Sequence, residues 1–106
     1  GNICNAPLPA GAGGAEFRAA MRDIVVPALD RFAPELLLIS AGFDAHYADP
    51  LANLELETAD FAWATAMLRA VADRHCRGRL VSTLEGGYDL EALAASAAAH
   101  VRALMA

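Results

Sequence analysis

A chain of 106 residues is enough for one small domain with a single core, but not for a deep, enclosed active site. The net charge is −5 and the eight basic residues, all arginine, are scattered, which excludes the electrostatic footprint of a nucleic-acid binder. Although 57% of the residues are hydrophobic, Asp, Arg, Glu or Gly interrupts every apolar run before the roughly 18 residues that a membrane-spanning helix needs. Neither nucleic acid nor a membrane is therefore expected as a partner. Much of the apolar excess is alanine, as in Ala92 to Ala99, which reads as closely packed helix. Cys4 and Cys76 form no CxxC motif and are expected to be buried thiols in a reducing compartment, which implies a cytoplasmic location. The opening Gly1-Asn2, with no initiator methionine, fits a segment of something longer.

Ile3 to Leu8 is apolar and runs into Pro9, which suggests an edge strand entering a flexible loop, Ala10 to Gly14. A helix is predicted from about Ala15 to Phe32, with Phe17, Met21, Val25, Leu29 and Phe32 near one face. Pro27 removes a backbone donor inside it, so a kink or two successive helices are expected, and Pro34 ends the element. Glu35 to Ser40 is a continuous apolar run that predicts a buried parallel strand. A polar loop follows, from Ala41 to about Glu57. Thr58 is the expected N-cap of a second helix, with Asp60 in its first turn. That helix runs to Arg74 and carries Phe61, Ala64, Thr65, Leu68 and Val71 on its inner face. Arg79 to Leu84 predicts a second buried strand, broken at Gly86-Gly87, and Asp89 caps a last helix from Leu90 to about Leu104. Phe17, Phe32 and Phe61 are candidate core residues, Trp63 faces away from the apolar stripe, and His75 and His100 read as surface or packing residues.

Strands alternating with helices, with glycine breaks after the strands, predict a parallel α/β sheet in a single partial domain spanning residues 1–106. In such sheets ligands bind beyond the carboxyl ends of the strands. Those ends are Ser40 to Pro50 and Glu85 to Tyr88, where the polar residues gather. In the first loop Asp44, His46 and Asp49 are all competent metal ligands. Two readings are open there: a local three-ligand site, or carboxylates that only shape the turn. In the second loop, Leu84-Glu85-Gly86-Gly87-Tyr88-Asp89-Leu90, the glycines permit positive φ or close approach of the backbone to a ligand. A tyrosine keeps its phenolic proton at neutral pH, so Tyr88 can donate to a developing oxyanion; it can equally pack at a helix start. No Lys or Ser/Thr follows the glycines in phosphate-loop spacing.

Taken together, Ser40-Ala41-Gly42-Phe43-Asp44-Ala45-His46, Asp49-Pro50-Leu51 and Leu84 to Leu90 resemble the histone deacetylase and acetylpolyamine amidohydrolase family, with the look of its class II and bacterial members. Asn5 to Pro9, Ile24 to Pro27, Phe32 with Pro34, and Leu51 to Phe61 extend the resemblance to nearly the whole chain. It implies an arginase/deacetylase fold, a three-layer parallel sheet with flanking helices, of which this is the C-terminal part. It implies Zn2+ in the complete enzyme and an acetyl-lysine or other N-acetylated amine as substrate. Asp44 matches the family's zinc-ligating aspartate and Tyr88 the tyrosine that polarises the amide carbonyl. Gly86 and Gly87 match glycines lining the acyl channel, and Leu51 a position at its mouth, where some polyamine-selective members carry glutamate. His46 is expected at the rim, turned to solvent, and not as a ligand.

The family's His-His general base and its Asp-x-His zinc ligands have no counterpart in this sequence. Gly14 and Ala48 depart from the common pattern, Asp and Gly respectively. The chain by itself is therefore expected to hold no catalytic zinc and to be inactive. The alternative is a non-catalytic structural or interaction module derived from the same fold. Either way, a strand edge and apolar faces left without neighbours predict self-association, as a homodimer through the strand edge or through the helix face from Phe61 to Val71.

Overall fold

The computed structural model describes all of residues 1–106. Helix α1 spans Gly14–Ala20, opened by the Gly13 N–H donating to Glu16 Oε2 at 3.2 Å. A π-turn, Met21–Val25, leads without a break into α2, Val26–Phe32. Pro27 lies in the first turn of α2, and the widened turn before it accommodates the missing donor, so the expected pair of successive helices is joined by a π-turn. The extra residue shifts the helical phase: Val26 is buried, and Phe32, expected in the core, is 71% exposed. Ala33 then turns left-handed at φ 52 and Pro34 stops the helix.

Strand β1, Leu37–Ala41, is followed after the long loop by α3, Thr58–His75, then β2, Leu80–Leu84, and α4, Leu90–Met105. The strands pair in parallel from Leu37↔Leu80 to Ala41↔Leu84. Leu37, Leu80 and Ile39 face inward, where Met21, Val26, Ala64, Val71, Ala72 and Cys76 form one cluster and Ala41, Phe43, Leu56 and Phe61 a second. His100 of α4, buried, bridges Thr65 Oγ1 of α3 (2.7 Å) and Ser82 Oγ of β2 (2.8 Å). Thr65 already donates to the Phe61 carbonyl, so its oxygen accepts the His100 Nδ1 proton and Nε2 accepts from Ser82. The parallel α/β architecture is thus present, and within these residues the helices cover one face of the sheet. Leu38 (68% exposed) and Val81 (56%) lie on the other, open face.

Four expectations are corrected. Ile3 to Leu8 forms no strand: Pro7 and Pro9 cannot donate to a ladder, and the nearest pairing is the isolated Gly13↔Glu55 bridge. Glu57, not Thr58, caps α3; its N–H donates to Asp60 Oδ2 at 2.8 Å, while Thr58 is already helical. Cys4 is exposed, whereas Cys76 is buried and donates its thiol to the Pro34 carbonyl. The Phe61 to Val71 face is packed inside the molecule, so it is closed to a second copy. Trp63 is half-buried against the first cluster, with the Arg18 guanidinium 5.1 Å above its ring.

Candidate active site

Both polar loops leave the carboxyl ends of the strands side by side. The ladder continues past the sheet: Glu85 N–H donates to the Ala41 carbonyl (2.9 Å), and Phe43 N–H to the Gly86 carbonyl (2.8 Å). Phe43 is anchored below by edge-on contacts with Phe61 (5.2 Å between centroids) and His100 (5.6 Å), which fixes the backbone that presents Asp44. The half-buried Asp44 carboxylate lies between two glycines. A Cβ on Gly86 would stand 2.8 Å from Asp44 Oδ1, and one on Gly42 3.1 Å from the same atom. A side chain at Gly86 would push this carboxylate aside, and one at Gly42 would crowd it. Gly87, at φ 143, makes the turn into α4, with Leu93 Cδ1 2.8 Å from where its Cβ would be.

Asp49 joins the two loops. Its Oδ2 accepts from the backbone N–H groups of Tyr88 (2.7 Å) and Asp89 (3.1 Å), and its Oδ1 from Leu51 N–H (3.0 Å). Burial by itself raises the Asp49 pKa, but the three amide donors, with His46 nearby, outweigh it and hold the carboxyl below the ordinary value. Of the two readings open for this residue, the structure supports the turn-shaping carboxylate. Asp89 caps α4 as expected, accepting from Ala92 N–H at 2.9 Å. Tyr88 is consequently fixed at its backbone while the residue remains 58% exposed; Leu51 is exposed as well.

His46 is not turned to solvent. It is buried, stacked on Tyr47 at 4.5 Å, and its Nδ1 accepts from Ala48 N–H at 3.1 Å. That leaves the proton of the neutral ring on Nε2, which faces Thr58 Oγ1 at 3.4 Å. The expectation failed because loop residues 45–47 pair with Leu56 (Leu56 N–H to Ala45 O, 3.0 Å; Tyr47 N–H to Leu56 O, 2.8 Å), folding the ring inward. His75 is bonded to Asp30 at 2.9 Å. With His100 between Thr65 and Ser82, all three histidines are committed to structural bonds.

Asp44 offers a hard oxygen donor with no protein hydrogen bond of its own, which suits a divalent cation as a single ligand. No group of three or more His, Cys, Asp or Glu side chains gathers around a common point.

Residues 1–104 match the histone deacetylase domain. The chain belongs to the histone deacetylase family. It is 46% identical over 105 residues to "Histone deacetylase 10, chloroplastic" of Oryza sativa subsp. japonica, covering 99% of this chain and 24% of that protein. It is 49% identical over 84 residues to the histone deacetylase-like amidohydrolase of Pseudomonas aeruginosa, covering 79% of this chain and 22% of the relative. Among solved structures, the histone deacetylase Clr3 superposes with a TM-score of 0.87 at 35% identity, covering 95% of this chain and 16% of that one. The chain therefore spans about a quarter or less of the length of these family members. No helix is long and apolar enough to cross a membrane.

Proposed function

We propose that these residues form the C-terminal side of the active site of a zinc-dependent deacetylase acting on acetyl-lysine or a related N-acyl amine. The observation that carries this reading is the seam between the loops, which places an unbonded carboxylate, Asp44, against Gly86, two residues before Tyr88. Asp44 would hold the metal as one of its ligands. The ion, when bound, supplies Lewis acidity toward the amide carbonyl and acidifies a water. Tyr88 donates its hydroxyl to the oxygen that becomes the oxyanion when water adds to the carbonyl carbon. Gly86 and Gly87 keep the wall beside the acyl group free of side chains, and Leu51 presents an apolar surface with no carboxylate for a polycationic substrate. The proton of the attacking water goes to a base outside these residues, because none of the three histidines is free to take it. The chain by itself holds one ligand of the three that a catalytic zinc takes from protein, and so is inactive alone. Two free cysteines support a reducing compartment such as the cytoplasm.

The test is a chimeric domain in which this chain replaces the matched segment of the Pseudomonas aeruginosa amidohydrolase. Tyr88→Phe should lower kcat on an acetyl-lysine substrate by about 10²-fold, the size of losing one oxyanion donor, with metal content unchanged. Asp44→Asn should lose the metal. Full turnover in Tyr88→Phe would refute the role of the tyrosine. One tightly held zinc on the 106-residue chain alone, lost in Asp44→Ala, would refute the single-ligand reading.

A further inference from the structure

Asp49 takes no part in the proposed chemistry, yet it is the best-satisfied carboxylate in the loops. It is 6% exposed and accepts three backbone hydrogen bonds, two of them from the loop opposite its own. A buried carboxylate is costly unless donors surround it. Here all three donors are peptide N–H groups at fixed positions in the chain, so the carboxylate dictates where those peptides lie. Oδ1 holds its own loop at Leu51, and Oδ2 holds the Tyr88 and Asp89 peptides of the other loop. The Asp89 N–H is also at the start of α4, whose cap is the separate Asp89 side chain. No other side chain bonds to the Tyr88 backbone, and Tyr88 is more than half exposed.

We infer that Asp49 is a positioning residue: its carboxylate clasps the Leu51 and Tyr88 peptides together and thereby sets the tyrosine hydroxyl against the substrate-binding surface. The inference rests on the reading of Tyr88 as oxyanion donor. Asparagine cannot replace the aspartate. Its single carbonyl oxygen can serve either Leu51 or the Tyr88–Asp89 pair, and its amide group then meets an N–H with another N–H. An error of about 1 Å in the placement of a catalytic group costs up to about 10²-fold in rate, so a loosened clasp acts on turnover without touching the chemistry.

Two measurements test it. In the unaltered 106-residue chain, NMR should show the Tyr88 amide proton shifting with pH at the same midpoint as the Asp49 carboxyl carbon. The charged groups close to this clasp are His46 and the Asp89 carboxylate, which bonds to Ala92; separate carboxyl-carbon signals distinguish the two aspartates, and the ring-proton signals mark His46. A Tyr88 amide that stays still while Asp49 titrates would overturn the clasp, whether or not any variant folds. In the chimeric domain, Asp49→Asn should lower kcat about 10-fold, with KM within about twofold and metal content unchanged. Unchanged kcat would overturn the positioning role. Should Tyr88→Phe prove fully active while its amide still follows Asp49, the oxyanion reading fails and the clasp stands.

Discussion

Two adjacent glycines should respond differently to the same methyl group. Gly87 sits at φ 143, a region closed to side-chain-bearing residues at a cost of about 1–3 kcal/mol. Its added Cβ would also stand 2.8 Å from Leu93 Cδ1 on α4. Gly86 has no such backbone requirement, and the nearest atoms to its Cβ would be those of the Asp44 carboxylate, with Oδ1 at 2.8 Å. A leucine methyl and a carboxylate can both swing aside, so the backbone decides. Gly87→Ala should cost about 2 kcal/mol of stability and Gly86→Ala less than about 1 kcal/mol. Urea unfolding followed by Trp63 fluorescence would read this as midpoint shifts of about 1 M and under about 0.5 M at a slope of about 2 kcal/mol/M. The order reverses for metal binding in the chimeric domain, where Gly86→Ala displaces Asp44 and should lose the ion more readily. Equal stability costs, or a Gly87→Ala variant within about 0.5 kcal/mol of the parent, would refute the assignment of strain to Gly87.

Ala33 ends α2 at φ 52 in front of a proline, so Ala33→Gly should stabilise by about 1 kcal/mol and raise Tm by about 4 °C in a thermal melt. Burial of His100 pushes its pKa below the usual imidazole value. The unfolded chain therefore binds the proton first, and this contribution to stability is complete above about pH 6.5 and lost as pH falls below it. The urea midpoint should drop between pH 7 and pH 5, and less so in His100→Gln. For the open sheet face we propose a second copy as cover: light scattering should show association that grows with concentration and weakens in Leu38→Lys with Val81→Lys, and a monodisperse monomer at high micromolar concentration would refute it.

The fold was legible wherever local rules act alone. The two short apolar runs became parallel strands within one or two residues of the expected bounds, and Asp89 caps α4 as its sequence context requires. Periodicity failed at the π-turn, because a helix that gains one residue rotates everything after it, and no pattern before Pro27 announces the gain. That one residue moved Phe32 out of the core and Val26 into it. The strands also proved one-sided. A continuous apolar run carries no mark of which face lacks a neighbour, and Leu38 and Val81 look in sequence like any buried strand residue.

The site was legible by its residue types and illegible in its wiring. Asp44 and Asp49 are both aspartates in one polar loop, and as letters they are equivalent candidates for a metal. What separates them is hydrogen bonding: three peptide donors hold Asp49, and no protein donor reaches Asp44. Peptide N–H groups occupy most of the lone-pair positions of Asp49, whereas those of Asp44, held between Gly42 and Gly86, are free of protein donors. The donors that make this distinction come from residues 88 and 89, some forty positions away, so no reading of the first loop by itself could make it. His46 fails for the same reason, since its burial depends on the pairing of its loop with Leu56. Division of labour between two nearby carboxylates is thus a property of the loop–loop seam, and the glycines of the second loop are what let the first loop come close enough to form it.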